Sequence, residues 1–172
     1  GTGIGTDTFT GFETLYGGTL ADTITVDAAV TNGLTLAGFG ANDTITGGGG
    51  ADTFVEAYGY GAGADSIDGG AGNETVNAGA ETVVGNDTYA GGSENDTLGY
   101  AAAAAAVAIT VNAAGVGTAT GADIGTDSFS GFETVYGGGV ADTIDASAYA
   151  TGMVLGGNAG NDTITGTSGN DF

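Results

Sequence analysis

The chain contains no lysine, arginine, histidine, cysteine, tryptophan or proline. Each absence removes chemistry. Without His and Cys there is no Ser-His-Asp or Cys-His nucleophile pair and no His-ligated zinc. Without Lys there is no Schiff base and no P-loop lysine. Phosphate cannot be neutralised without Lys or Arg, so nucleic acid is not expected as a partner. For the same reason no salt bridge forms between side chains, and trypsin-like proteases find no cleavage site. The lack of cysteine is compatible with an extracellular protein without showing one. No run of about 18 apolar residues reads as a membrane span, and the N-terminus does not read as a signal peptide. Only carboxylate-pair chemistry of the glycosidase type survives.

What is present is acid and glycine: 21 Asp plus Glu and 38 Gly in 172 residues, for a formal charge of −21. Leu, Ile, Val and Phe together make up about a fifth of the chain, which with that charge falls on the disordered side of the composition rule. Either the chain is unfolded, or something outside the protein neutralises it and adds folding free energy.

Two nested repeats organise these residues. "IGTDTFTGFETLYGGTLADTI" at 4–24 recurs as "IGTDSFSGFETVYGGGVADTI" at 124–144, and "ANDTITG" at 41 recurs as "GNDTITG" at 160. The expected organisation is one module over 1–120, followed by the first part of a second copy over 121–172, in one continuous solenoid. The end at "SGNDF" reads as an interruption within a repeat, so a segment of a longer modular protein is expected. Inside the module the acids Asp43, Asp52, Asp65, Glu74, Asp87 and Asp96 alternate in spacing, so that Asp43, Asp65, Asp87 and Asp52, Glu74, Asp96 form two series of equal period. Each acid precedes a short segment with one central apolar residue: Ile45, Phe54, Ile67, Val76, Tyr89 or Leu98. A period of two points that residue inward and its Thr, Ser or Asn neighbours outward. One such residue per strand makes a core only when coils stack. The hexa-alanine at 101–106 leads into "VAITVN", which alternates like a strand, so extended structure is expected there rather than helix.

Stacked parallel strands lie about 4.8 Å apart, so each acid series becomes a ladder of like charges repelling by roughly 0.9 kcal/mol per neighbouring pair even in bulk water. Calcium takes oxygen ligands at about 2.3–2.6 Å, so an ion between two coils reaches a carboxylate above and one below. It needs about six to eight oxygens, so loop carbonyls must turn inward, often at backbone angles that only Gly adopts cheaply. Magnesium fits less well, because it demands octahedral geometry and holds its water, and zinc and copper prefer the missing His and Cys.

At these residues the chain resembles the RTX, or hemolysin-type, calcium-binding family. "GGGGADTFV" (47–55) fits the nonapeptide G-G-x-G-x-D-x-U-x in full, and "GGAGNETVN" (69–77) fits it except for Glu74. "GGSENDTLG" (91–99) carries Glu94 at the fourth position, and "GYGAGADSI" (59–67), "VVGNDTY" (83–89) and "NAGNDTITGTSGNDF" (158–172) match in part. The resemblance implies an all-β fold, a right-handed parallel β-roll with calcium between coils. It implies ligands from Asp43, Asp52, Asp65, Glu74, Asp87, Asp96, Asp162 and Asp171, with carbonyls of Gly47, Gly49, Gly69 and Gly91. It also implies secretion by a type I-like bacterial system and disorder before calcium is met. The coil here is longer than the family's usual one, and the Asp43, Asp65, Asp87 side departs from its glycine pattern.

Asp22 and Asp142 in the two "ADTI" segments are further candidate ligands. Asp7, Glu13, Asp127 and Glu133 are read as exposed or capping, and Glu56, Glu81, Asp123 and Asp145 as surface charge. The tyrosines, including Tyr58, Tyr60 and Tyr100, are read as loop and edge packing rather than sugar platforms. The T-x-T triplets invite an ice-binding reading, but "TFV", "SID" and "TVN" break them, and β-propensity on an exposed face explains them. The function expected is a calcium-stabilised structural solenoid of a secreted or cell-surface protein (S-layer, fibre or adhesin), not an enzyme. Its partners would be calcium and either further copies of itself or surface polysaccharide. The alternative is the secretion and folding module of an RTX-type enzyme such as a serralysin-like protease, lipase or epimerase.

Overall fold

The computed structural model describes residues 11–56, 62–80 and 84–172; Asp7, Tyr58, Tyr60 and Glu81 lie outside them. The described residues are all β, with no helix. One sheet has seven strands, in the order β1 (Thr14–Tyr16), β3 (Thr35–Ala37), β5 (Thr53–Val55), β7 (Thr75–Asn77), β9 (Thr97–Gly99), β13 (Thr134–Tyr136) and β15 (Val154–Gly156). The other has nine: β2 (Thr23–Thr25), β4 (Thr44–Thr46), β6 (Ser66–Asp68), β8 (Thr88–Ala90), β12 (Gly125–Ser130), β11 (Gly117–Gly121), β10 (Val107–Val111), β14 (Thr143–Asp145) and β16 (Thr163–Thr165). The chain crosses from one sheet to the other at every turn, so consecutive strands of each sheet belong to consecutive coils and pair in parallel. This is a β-solenoid of about seven turns.

Its strands are as short as their pattern predicts. Leu36, Phe54, Val76, Leu98 and Val135 form one inward ladder, and Ile24, Ile45, Ile67, Tyr89 and Phe129 face them from the other sheet, all buried. Burying a side chain of this size contributes about 1.5–3 kcal/mol. A single coil places one or two in the core, and only the stack accumulates enough.

The two sheets differ by a hairpin. Between β9 and β13, adjacent in the seven-stranded sheet, the chain makes three strands on the opposite side: β10 joins β14 in parallel, β12 joins β8 in parallel, and β11 runs antiparallel between β10 and β12. Asn112 closes the hairpin turn by accepting hydrogen bonds from the backbone N–H of Ala114 (2.8 Å) and Val116 (3.2 Å). The inward residues of β11 are Gly117, Ala119 and Gly121, and a Cβ at Gly117 would lie 2.0 Å from the ring of Phe129, which fills its place. The alanine run before β10 forms a turn and no helix, and Val107–Val111 is the expected strand.

The topology corrects one expectation about the surface. "TFV" and "TVN" belong to the seven-stranded sheet and interrupt nothing on the other. Across the nine-stranded sheet an exposed hydroxyl row runs from Thr23 through Thr44, Ser66, Thr88, Ser128, Thr118 and Thr110 to Asp145 and Thr165, with Asp145 its one interruption.

Candidate metal-binding loops

The acids of both series sit where a loop enters a strand, and the coil repeat stacks them. Their carboxylates do not merely repel. Along one edge each takes a hydrogen bond from the backbone N–H of the acid one coil earlier: Asp22 N–H donates to Asp43 Oδ1, Asp43 to Asp65 and Asp65 to Asp87, each at 2.7 Å, and Asp87 to Asp127 at 3.0 Å. On the opposite edge Leu34 N–H donates to Asp52 Oδ1 and Glu74 N–H to Asp96 Oδ1, both at 2.8 Å, and Asp96 N–H to Glu133 Oε2 at 2.9 Å. Hydrogen bonds to a charged group are worth about 1.5–3 kcal/mol, enough to offset the pairwise repulsion of the rungs. Asparagines beside the acids tie the coils in the other direction: Asn42, Asn73 and Asn86 accept from Ala64 (3.1 Å), Asn95 (3.1 Å) and Thr126 (2.8 Å) in the following coil. The Asn-acid pair is thus a reciprocal clamp, a role the repeated "ND" and "NE" dipeptides could have signalled in the sequence.

Glycine has a second fixed place. Asp22, Asp43, Asp52, Glu74, Asp96, Asp142, Asp162 and Asp171 each follow a Gly by five residues: Gly17, Gly38, Gly47, Gly69, Gly91, Gly137, Gly157 and Gly166. A Cβ on any of these would lie between 2.1 and 2.8 Å from an atom of the acid's side chain. The bare backbone is therefore a cradle over which the carboxylate folds. In the best-formed stack the same glycines pack on carbonyls: a Cβ at Gly47 would meet Gly69 O, and one at Gly69 would meet Gly91 O, both at 2.1 Å. In the loop of Asp96 the fourth nonapeptide position holds Glu94 at φ +82°, a left-handed backbone where Gly is usual, and its Oε2 accepts Gly72 N–H at 2.6 Å. Gly49 packs elsewhere, against Ala28 O of the preceding turn.

Asp43, Asp52, Asp65, Glu74, Asp87, Asp96 and Asp142 are buried, Asp22 and Asp162 half-buried, and Asp171 exposed. Two acids lie deeper than expected, one of them in the capping role read for it. Glu56 is fully buried rather than a surface charge, because it follows β5 at a corner where its counterparts Ala78 and Tyr100 also face the core. Asp127, expected exposed or capping, is buried on the inner face of β12, where it caps the Asp87 amide. Asp123 is half-buried and holds the Ala104 and Ala105 amides at 2.7 and 3.2 Å. Asp145 is exposed, as expected.

Burial without a basic partner favours the protonated acid. Desolvation pushes Asp43 up to about 6 and Asp127 up to about 7, and raises Asp65 and Asp96. Glu74 is pushed up to about 8, first by burial and then by the adjacent Asp96 carboxylate. Its extra methylene takes the head group out of the ladder: neither Oε1 nor Oε2 has a hydrogen-bond partner, and Asp43 Oδ2 and Asp96 Oδ2 are likewise buried and unpartnered. Such oxygens need either a proton or a cation. The donor set is oxygen only, which suits calcium. Among the described residues no three acidic side chains converge on one point, so an ion there would combine one or two carboxylates with loop carbonyls.

The RTX calcium-binding nonapeptide repeat matches the sequence in four copies, over residues 35–55, 61–82, 84–98 and 156–172. The chain carries RTX calcium-binding repeats over these four stretches. No curated protein matches it. Repeats of this kind bind calcium, which supports calcium as the metal of these loops, and a solenoid built of them suggests a structural repeat module. The four matched stretches contain six of the eight Gly-cradled acids; Asp22 and Asp142 fall outside them and are recognised by geometry alone.

Proposed function

We propose that this RTX chain is a calcium-stabilised structural segment of a secreted or cell-surface protein, of the kind that builds an S-layer, an extracellular fibre or an adhesin. One observation carries the reading: among the described residues nine carboxylates, from Asp43 to Asp142, are buried, in a chain with no basic side chain. The acids that would hold calcium are those over glycine cradles, Asp22, Asp43, Asp52, Glu74, Asp96, Asp142, Asp162 and Asp171, with carbonyls from Gly47, Gly49, Gly69 and Gly91 completing the shell. When bound, the ion supplies positive charge between coils. The chain's own residues hold the loops in register through the carboxylate and asparagine clamps. Extracellular calcium, typically about millimolar for modules of this kind, then decides where the chain folds. Its partners would be further copies of itself or surface polysaccharide. RTX repeats are typical of secreted bacterial proteins, and among the described residues no helix is long and apolar enough to cross a membrane.

Circular dichroism tests the reading. Disorder in chelator at neutral pH and low salt, and β-structure after calcium is restored, are expected. Equal structure in both would overturn it.

A further inference from the structure

We propose that calcium does not run along the whole of both edges of this roll. The central rungs of one edge, Asp65, Asp87 and Asp127, form a metal-free seam in which buried tyrosines of the core serve Asp87 and Asp127 and no carboxylate oxygen is left buried and unpartnered. The inference rests on the calcium reading above and concerns where within the roll it applies.

Three independent features set these acids apart. The first is the missing cradle. Five residues before Asp65, Asp87 and Asp127 stand Tyr60, Thr82 and Ala122 in place of Gly. The second is the occupation of the carboxylate oxygens. Asp87 accepts Asp65 N–H on Oδ1 and the Tyr89 hydroxyl on Oδ2 at 2.9 Å; Asp127 accepts Asp87 N–H on Oδ1 and the Tyr100 hydroxyl on Oδ2 at 3.1 Å. Asp65 takes Asp43 N–H on Oδ1 at 2.7 Å, and neither of its oxygens is among the buried unpartnered ones. On the cradled rungs of the same two edges, by contrast, Asp43, Glu74 and Asp96 keep buried oxygens without partners, and where a second oxygen is used, as in Asp52 and Asp142, the donor is a loop amide, Gly48 or Gly138.

The third feature is where the donors come from. Tyr89 is the inward residue of β8 and Tyr100 follows β9; both are fully buried. Their rings are fixed by core packing, so their hydroxyls cannot swing aside for an ion as a glycine-loop amide can. A phenol O–H donates one proton to one lone pair, which meets the need of a buried carboxylate oxygen without a net charge. The seam sits beside the hairpin, where β12 replaces a calcium-type loop with a strand and brings Asp127 into register with Asp87. The sealed stretch thus separates two cradled pairs on that edge, Asp22 with Asp43 and Asp142 with Asp162.

Ion counting on the folded protein tests this. By equilibrium dialysis against calcium, Asp96→Asn is expected to lose at least one bound ion, whereas Asp87→Asn keeps the full number. Loss of an ion from Asp87→Asn equal to that from Asp96→Asn would overturn the seam. If Asp87→Asn does not fold, anomalous diffraction from calcium-grown crystals of the unaltered chain decides. Ions only at the cradled loops support the proposal, and an ion coordinated by Asp65, Asp87 or Asp127 sinks it. No bound calcium at all would overturn the functional reading itself, and the seam with it.

Discussion

The loop around Asp96 and the corner around Asp87 belong to the same stretch of chain and carry the same residue type in equivalent positions, yet their surroundings are opposite. Asp96 lies over Gly91, with one oxygen buried and unpartnered and Glu74 crowding it. Asp87 has Thr82 rather than Gly five residues before it, and both of its oxygens are engaged, one by a core tyrosine. The difference shows two ways for a chain without basic residues to bury a carboxylate. A loop can leave lone pairs open for a divalent ion, or the core can extend a hydroxyl to them. The first makes folding conditional on the medium and the second does not.

The largest effect should come from filling a cradle. A Cβ at Gly69 would lie 2.1 Å from a backbone carbonyl, so Gly69→Ala is expected to cost about 3 kcal/mol or more in thermal unfolding with calcium present. At Gly99 nothing stands within 4 Å, and Gly99→Ala should be neutral or gain about 0.4–1 kcal/mol. Equal losses at the two glycines would break the distinction between cradle and strand.

Tyr89→Phe should cost about 1–3 kcal/mol, since it strands a buried carboxylate oxygen, and by the same amount at every calcium concentration that supports the fold. A loss that excess calcium repairs would place an ion at Asp87 after all. Acidity separates the metal-free and metal-bound states further. Asp43, Asp127 and Glu74 have folded-state values raised to about 6, 7 and 8, above the ordinary carboxyl range of about 4. Their contribution to the metal-free fold is therefore complete below about pH 4 and lost as pH rises through 6 to 8. Circular dichroism in chelator should show β-structure near pH 4 that melts toward pH 8. With calcium the dependence reverses, because the ion needs the ionised acids. A metal-free chain that is better folded at pH 8 than at pH 4 would contradict this. The smallest effect is expected at Glu74→Asp, which returns the head group to the ladder and should tighten calcium binding a few-fold by titration calorimetry; weaker binding would show that Glu74 already sits in the ladder's register.

Much of this was legible in the residues. Thr-apolar-Thr triplets behind glycine loops specify a stacked roll because no other arrangement buries one apolar residue per strand, and every central residue from Ile45 to Leu98 points inward. The acid ladders were legible from their period, and Glu74 as the odd rung from its length. Three things were not. Glu56 read as surface charge, and the burial of the capping Asp127 was not foreseen, because both depend on strands far away in sequence. The tyrosine seal needed the inward direction of Tyr89 and Tyr100 together. The hydroxyl row was hidden because neighbouring triplets in sequence lie on opposite sheets, so a row must be read at every second triplet.

The inserted hairpin reaches beyond the acids. At about 4.8 Å per strand, the two extra rungs make one face of the roll about 10 Å taller than the face opposite. A straight column cannot have sides of unequal height. The inward residues of the middle strand, Gly117, Ala119 and Gly121, are small, with the Phe129 ring over Gly117, so a turn of the stacking axis toward the seven-stranded side is the expected way to take up the extra height. The same insertion that interrupts the run of glycine-cradled acids thus also makes the two faces of the roll unequal.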